Sequence, residues 1–283
     1  MRIAVGASSF SCAIPDHEVI LNPYGRKMTE DEVIAHLKDA DGLLAGLEPL
    51  NERVFSSSPK LRAIARIGIG MENVDVEAAK RHNIKVSNTP DAPTYAVAEM
   101  TLAAALTIAR QIVPANTDMH NGVWKKKMGV SLMGSKVLLI GYGRIGKRFA
   151  RLLEPFDVEL LIYDPLCSNS ALEELLPQAD IVSLHASGSN VILGEKQFLL
   201  LKKSVILLNS ARGGLVDEKA LCRFLECGAY YWADTFSEEP YSGILTKCPN
   251  AILTPHISTY TTQCRERMET QAVSNLLEDL NVA

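Results

Sequence analysis

Three glycines in the middle of the chain have the spacing of a phosphate-binding turn. They belong to the hexapeptide Gly141-Tyr142-Gly143-Arg144-Ile145-Gly146, which follows the apolar run 136–140 and precedes the amphipathic stretch 147–153. A strand, a turn and a helix are expected in that order. In such a unit the first glycine permits the turn, the second lets a pyrophosphate approach the backbone, and the third lets the helix pack closely on the sheet. Phosphates also favour the positive end of a helix. We therefore expect a dinucleotide site that includes Arg144 and Ile145.

An acid at the end of the next predicted strand indicates which dinucleotide the site would bind. Residues 158–163 form a second apolar run, and Asp164 follows it. A carboxylate at this point accepts both ribose hydroxyls of an adenosine and repels a 2′-phosphate. Pro165, Leu166 and Cys167 supply no cation to hold such a phosphate. These residues favour NAD over NADP, and a turn that binds no ligand is the alternative.

Polar residues follow three later predicted strands. Arg212 stands before two glycines, and its planar guanidinium suits a substrate carboxylate. Asp234 and His256 follow the next two strands, and open α/β sheets bind ligands at these strand ends. The alternatives are a surface arginine paired with Asp217 or Glu218, a solvated acid and a structural histidine. Their recurrence on successive strand ends, beside a nucleotide turn, favours chemistry.

Composition excludes several classes of protein. The 283 residues are 47% hydrophobic and 22% charged, with a net charge of −4. Residues 125–127 form the only run of lysines, so neither nucleic acid nor an anionic membrane is an expected partner. No apolar stretch is both long enough and continuous enough for a bilayer span to be expected, and no signal peptide is expected. The six cysteines lack C-x-x-C spacing, which favours reduced thiols, a cytoplasmic location and no metal site.

The elements that position these residues form two series of alternating strands and helices, which predicts two doubly wound α/β lobes with parallel sheets. The first series has predicted strands at 3–5, 42–45, 63–66 and 85–87, with helices at 29–38 and 76–81. The second has predicted strands from Val137 and at 160–163, 181–184, 205–208, 231–233 and 252–254.

A proline-bearing segment, 88–93, separates the two series and is expected to be a linker that no helix enters. A helix follows over 94–112. It is apolar on nearly all sides, so it is either a core helix or a subunit-interface helix. The amphipathic helix predicted over 260–280 returns to the first lobe. Residues 1–92 and 260–283 therefore form one expected domain, and residues 93–259 form the other.

The motifs, in this order, resemble the D-isomer-specific 2-hydroxyacid dehydrogenases over nearly the full chain. They are Arg66-Ile67-Gly68-Ile69-Gly70, Asn88-Thr89-Pro90, Ala96-Val97-Ala98-Glu99, the glycine turn, Ala211-Arg212-Gly213-Gly214, Glu239-Pro240 and Pro255-His256. The resemblance implies a Rossmann NAD-binding domain inserted in a flavodoxin-like substrate domain. It also implies a small 2-hydroxy or 2-oxo acid substrate. A homodimer that forms through the helix 94–112 is expected from the apolar faces of that helix.

The resemblance implies a role for each matching residue. His256 would be the general acid/base, with Glu239 as its partner, because a nearby carboxylate stabilises a protonated imidazole. Arg212 would bind the substrate carboxylate, and the backbone N–H groups of Ile69 and Gly70 would hold it from the first lobe. Asp234 would lie near the nicotinamide carboxamide. Residues His185 and Ala211 would line the cofactor site.

Some departures and alternatives remain at this point. Ala186-Ser187-Gly188 follows His185 where the family usually has a small apolar residue and proline.

An NAD(H)-sensing binding protein on the same fold is the alternative to an enzyme. Formate dehydrogenase shares the fold but pairs its histidine with glutamine, so Glu239 argues against it. Phosphoglycerate dehydrogenase and glyoxylate/hydroxypyruvate reductase are the competing substrate assignments.

Overall fold

The computed structural model describes residues 1–281. The chain folds into two compact units: the first consists of Met1–Pro93 and the chain from Tyr260 onward, and the second consists of Thr94–Thr259. Strands and helices are numbered along the whole chain.

The first unit contains a five-stranded parallel sheet with the order β2-β1-β3-β4-β5. Its strands are β1 (Arg2–Val5), β2 (Glu18–Ile20), β3 (Gly42–Ala45), β4 (Ala63–Arg66) and β5 (Lys85–Asn88). This is the flavodoxin-like strand order. Four of the strands were expected, but β2 was not. It has only three residues, none of them fully buried, so it gives no apolar run in the sequence.

Four helices belong entirely to the first unit: α1 (Glu30–Leu37), α2 (Glu52–Ser56), α3 (Val76–Arg81) and α10 (Thr262–Asp279). Each begins after a residue whose side chain accepts a backbone N–H of the first turn: Thr29, Asn51, Asp75 and Thr261. Such caps satisfy amides that have no partner within the helix. Helix α10 packs against β3, β4 and β5, so the end of the chain returns to the first sheet.

The second unit contains a six-stranded parallel sheet with the order β11-β10-β9-β8-β6-β7. Its strands are β6 (Lys136–Ile140), β7 (Glu159–Tyr163), β8 (Ile181–Leu184), β9 (Ile206–Asn209), β10 (Tyr230–Ala233) and β11 (Ala251–Leu253). Strand order turns back between β6 and β8, the kind of point at which open parallel sheets bind ligands. The two all-parallel α/β lobes agree with the expected fold class.

Both faces of this sheet are buried, as in a doubly wound fold. In β6, Leu138 and Ile140 join the core on one face, whereas Val137 and Leu139 join the core on the other. The covering helices are α6 (Arg144–Leu153), α7 (Leu172–Leu175), α8 (Glu195–Phe198) and α9 (Glu218–Leu225), together with most of α4 (Asp91–Ala109). Helix α5 (Ile112–His120) buries none of its residues.

The expected linker 88–93 is partly wrong, because α4 begins at Asp91 and includes Pro93. Proline is tolerated in the first turn of a helix, where its missing N–H would have had no partner. The expected helix end at 112 is wrong as well. Helix α4 ends at Ala109, and Gln111 takes a left-handed conformation with φ of 55° before α5 begins.

Among residues 1–281, helix α4 alone is long and apolar enough to be compared with a membrane span. With 19 residues and a mean hydropathy of 1.2 over its most apolar stretch, it meets the length and composition of a membrane span. More than half of that stretch is buried within the structure. Ala98, Ala105 and Ile108 contribute to the same core as Phe149 and Trp232, which is the packing of a core helix.

Candidate active site

The glycine turn lies between β6 and α6, and two of its glycines are required by close backbone approach. Gly141 has a φ of 98°, and a Cβ there would lie 2.6 Å from backbone atoms of His185 and Ala186. A Cβ on Gly146 would lie 2.3 Å from the carbonyl oxygen of Gly141. Larger residues at these two positions would therefore push the turn and helix α6 away from the sheet.

Gly143 differs from the other two glycines because a Cβ there would meet no described atom within 4 Å. It precedes the first residue of α6, Arg144, and no side chain of residues 1–281 caps this end of the helix. Together with Ile145 and Gly146, Arg144 forms the first helical turn, whose N–H groups have no partner within the helix. Open space over Gly143 and an uncapped helix end fit the pyrophosphate of a dinucleotide.

Asp164 follows β7 and is bound to the glycine turn. Its carboxylate accepts the N–H of Tyr142 at 2.7 Å and the N–H of Leu166 at 2.9 Å. These two hydrogen bonds, helped by the charge of Lys147, hold the pKa of Asp164 below its usual range. A charged carboxylate therefore stands at the end of β7, where a ribose would be recognised.

His185 follows β8 and contacts the glycine turn. Its ring lies 5.3 Å from that of Phe149, and its Nε2 lies 2.9 Å from Ser183 Oγ. Nδ1 is buried and has no hydrogen-bond partner among the described residues. Burial lowers the pKa of His185 to about 3, so the imidazole is neutral near pH 7.

His256 and Glu239 are hydrogen-bonded to each other at this edge of the sheet. His256 Nδ1 lies 2.9 Å from Glu239 Oε2, and Glu239 also accepts the N–H of Phe236 at 3.0 Å. Burial opposes ionisation of Glu239. The bonds from His256 and Phe236, with the charges of His256 and Arg212, nevertheless leave its pKa below the ordinary value. Nδ1 is thereby occupied, and Nε2 is the other ring nitrogen that can exchange a proton.

The backbone of His256 is strained, with a φ of 53°, and Asp234 holds the turn around it. The buried Asp234 carboxylate accepts Thr254 Oγ1–H at 2.6 Å, Ile257 N–H at 2.9 Å and Ser258 N–H at 2.8 Å. Strained residues persist where their surroundings fix them, and such positions cluster at functional sites. Asp234 thus supports the histidine turn, a contact that its position in the sequence did not suggest.

Asn209 holds the turn that carries Arg212 in a similar way. Its buried side chain accepts Ala211 N–H at 3.0 Å and donates to the Arg212 carbonyl at 3.0 Å. The next residue, Gly213, packs so closely that a Cβ would lie 2.2 Å from backbone atoms of Phe236 and Ser237. The arginine turn and the start of the Glu239 segment are therefore in direct contact. Sequence reasoning missed the role of Asn209, which a buried polar residue at a strand end could have suggested.

The sheet thus brings most of the expected residues to one edge. Arg212, Asp234 and His256 follow β9, β10 and β11, which are neighbours in the sheet, while the glycine turn and Asp164 follow β6 and β7. Ile69 and Gly70 lie in the first unit. There the Ile69 carbonyl accepts a hydrogen bond from Asn88 Nδ2 at 2.8 Å. Residues 1–281 contain no group of three or more His, Cys, Asp or Glu residues arranged to hold a metal ion.

Comparisons with known proteins identify the family. Residues 102–258 match the family model described as "D-isomer specific 2-hydroxyacid dehydrogenase, NAD binding domain". Glyoxylate reductase of Pyrococcus furiosus is 34% identical over 278 residues, covering 89% of this chain and 83% of that protein. Human D-3-phosphoglycerate dehydrogenase is 34% identical over 86% of this chain, which spans about half (49%) of that protein's length.

A solved structure agrees with these matches. The TT0316 protein from Thermus thermophilus superposes with a TM-score of 0.88 at 32% identity, over 99% of this chain and 97% of that one. The family resemblance inferred from the motifs is confirmed. The chain belongs to the D-isomer specific 2-hydroxyacid dehydrogenase family and is an NAD-dependent oxidoreductase.

Proposed function

We propose that this oxidoreductase interconverts a small D-2-hydroxy acid and its 2-oxo acid, with His256 and Glu239 as the acid/base pair and Arg212 as the substrate-binding residue. The contact of 2.9 Å between His256 Nδ1 and Glu239 Oε2 carries the proposal. An ionised carboxylate on Nδ1 stabilises the imidazolium and orients Nε2. The histidine can then protonate a keto oxygen during reduction and remove the hydroxyl proton during oxidation.

Arg212 supplies the positive charge for this reaction. Its guanidinium can hold the substrate carboxylate with two parallel hydrogen bonds, and it can polarise the C2 oxygen. The charge of Arg212 reaches Glu239, so the arginine and the acid/base pair act in one electrostatic environment. The backbone N–H groups of Ile69 and Gly70 complete the proposed substrate set.

The NAD-binding residues are proposed from the fit of the glycine turn. Gly141, Gly143, Arg144, Ile145 and Gly146 would hold the pyrophosphate. A further set would hold the rest of the cofactor: Asp164 at the adenosine ribose, His185 and Ala211 along the site, and Asp234 near the carboxamide. When bound, NADH would supply the hydride for reduction of the 2-oxo carbon, and NAD+ would accept the hydride in the reverse direction. The charged Asp164 favours NAD over NADP, because it repels a 2′-phosphate.

The test is a panel of substrates. NADH oxidation is measured with hydroxypyruvate, glyoxylate, pyruvate and 3-phosphohydroxypyruvate, and then repeated with NADPH. We expect turnover with at least one 2-oxo acid and faster turnover with NADH. The names of two relatives, glyoxylate reductase and D-3-phosphoglycerate dehydrogenase, make glyoxylate and 3-phosphohydroxypyruvate the leading candidates. Tight NADH binding without turnover across the panel would instead favour the NAD(H)-sensing alternative.

A second copy of the chain is the proposed partner. Helix α5 and the segment that follows it expose an unusual density of large apolar side chains. They are Ile112, Val113, Met119, Val123, Trp124, Met128, Val130 and Met133. Trp124 is 82% exposed and Met128 is 95% exposed. An exposed apolar surface of this kind marks an interaction site, and a homodimer would cover it. The solution mass from light scattering tests this, and a monomer at micromolar concentration would contradict it.

A further inference from the structure

Two cysteines of the second unit lie against each other. All six cysteines fall among the described residues and are free thiols. Cys222 Sγ lies 3.0 Å from Cys248 Sγ, and both residues are half-buried. A disulfide has a sulfur–sulfur distance of about 2.05 Å. The two sulfurs therefore need to approach by only roughly 1 Å to form one.

The elements that carry the two cysteines are already held together. Cys222 lies in α9, and Cys248 follows the 3-10 turn Ile244–Lys247. Between them, Tyr241 Oη donates to Glu218 Oε2 at 2.7 Å and accepts Leu245 N–H at 3.2 Å. These bonds join the first turn of α9 to the 3-10 turn, so the two elements that carry the sulfurs are held beside each other.

We propose that Cys222 and Cys248 form a redox modification site, at which a reversible disulfide ties α9 to the segment that carries Glu239. The oxidant is a low-molecular-weight disulfide such as glutathione disulfide. One cysteine thiolate attacks it, forming a mixed disulfide and releasing one thiol. The second cysteine then attacks the mixed disulfide, and the second thiol leaves. The protein loses two protons and two electrons, and one disulfide is reduced to two thiols.

The surroundings of the pair favour slow formation and a lasting bond. Burial, together with the neighbouring Cys248 thiol, raises the pKa of Cys222 to about 12. The Cys222 thiolate is scarce at neutral pH, and attack by Cys222 is slow because the thiolate is the attacking species. For the same reason the reduced form of Cys222 gains no stability from ionisation, in contrast to strongly oxidising proteins whose reduced form is stabilised.

The bond would stabilise the part of the site that holds Glu239. Phe236 donates its N–H to Glu239 and stacks on Tyr241 with ring centroids 4.2 Å apart. Cys248 lies at the end of the same segment. A disulfide between two residues 26 positions apart in the sequence lowers the conformational entropy of the unfolded chain. We expect it to raise the melting temperature by about 5–10 °C. We also expect slower amide hydrogen exchange over residues 236–248.

The experiment uses the full chain in glutathione buffers of increasing oxidised fraction. Free thiols are blocked with a maleimide, and digested peptides are analysed by mass spectrometry. We expect the thiol count to fall from six to four, a linked peptide pair containing Cys222 and Cys248, and the stated rise in melting temperature. Dithiothreitol should reverse all three changes. None of these readouts needs turnover, so they hold or fail independently of the proposed reaction.

Matched variants separate this pair from the other cysteines. Cys222→Ser and Cys248→Ser should each abolish the redox-dependent change in melting temperature. Cys227→Ser, which removes an exposed cysteine beyond the end of α9, should retain the change. Six free thiols after oxidation, a different linked pair or only glutathione adducts on the wild-type chain would overturn the proposal.

Discussion

The side chain of Asp234 is hydrogen-bonded to residues on both sides of His256. The carboxylate of Asp234 binds the residue two positions before His256 and the two residues after it. It thereby fixes a histidine whose φ of 53° is uncommon for a residue other than glycine. The Trp232 indole N–H donates to Thr254 Oγ1 at 3.1 Å, which extends the support into the core.

We expect Asp234→Asn to impair turnover and stability together. The substitution replaces one acceptor oxygen with a donor group that would face a donor hydroxyl or N–H. It should lower the free energy of unfolding by about 1.5–3 kcal/mol. Displacement of His256 should lower kcat by roughly 10–100-fold. Urea denaturation and steady-state kinetics measure the two effects.

Asp217→Asn is the matched control for Asp234→Asn. Asp217 also accepts two backbone N–H groups, those of Lys219 and Ala220, but it caps α9. Its loss should cost about 1 kcal/mol of stability or less and leave kcat nearly unchanged. Equal losses of kcat in both variants would argue that Asp234 acts only through general stability.

The proposed catalytic roles predict a separation of binding from turnover. His256→Gln and Arg212→Gln should each lower kcat/KM by about 10²–10⁴-fold, because a proton donor or a carboxylate ligand is lost. NADH binding, measured by fluorescence titration, should change by less than about threefold, a free-energy change under ~0.7 kcal/mol.

His82→Gln provides a matched histidine control. His82 Nε2 lies 2.6 Å from Glu52 in the first unit, so this variant also removes an imidazole–carboxylate contact. It should leave kcat/KM unchanged. Near-normal turnover of both His256→Gln and Arg212→Gln would remove the catalytic assignment.

Two glycine substitutions should separate cofactor binding from folding. Gly143→Ala adds a Cβ into open space at a φ of −75°, so the fold should tolerate it. The same Cβ would occupy space proposed for the pyrophosphate and should weaken NADH binding by about tenfold or more, roughly 1.4 kcal/mol. Gly146→Ala should mainly lower the melting temperature, because its Cβ meets the Gly141 carbonyl oxygen. Unchanged NADH affinity in a folded Gly143→Ala protein would contradict the proposed pyrophosphate site.

The sequence predicted the strands of the sheets better than it predicted the hydrogen bonds that hold the site residues in place. Buried parallel strands such as Ile181–Leu184 are continuous apolar runs, so their positions could be recognised. Pro93 led to the wrong start for helix α4, because proline is tolerated in the first turn of a helix but not later in it. The hydrogen bonds of Asn209 and Asp234 depend on residues brought together by the fold. The position of Asn209 at the end of a buried strand could suggest a structural role, but no local pattern identifies the hydrogen-bond partners of either residue.

The buried His185 predicts an acid-sensitive fold. Its pKa is lowered to about 3 in the folded chain, whereas an unperturbed histidine has a pKa of about 6.5. Between these values the unfolded chain binds the extra proton, so stability falls as the pH decreases. The contribution of this group is about 1.4 kcal/mol per pH unit below pH 6.5. Urea denaturation of wild-type and His185→Asn proteins between about pH 7 and 4.5 measures the difference in unfolding free energy.

The stability difference between the two proteins isolates His185, since the other titrating groups are common to both. We expect the advantage of the wild-type protein over His185→Asn to shrink, or to reverse, as the pH falls below about 6.5. A constant difference between wild-type and His185→Asn proteins across the range would mean that the His185 imidazole is protonated in the folded chain or hydrated enough to titrate normally.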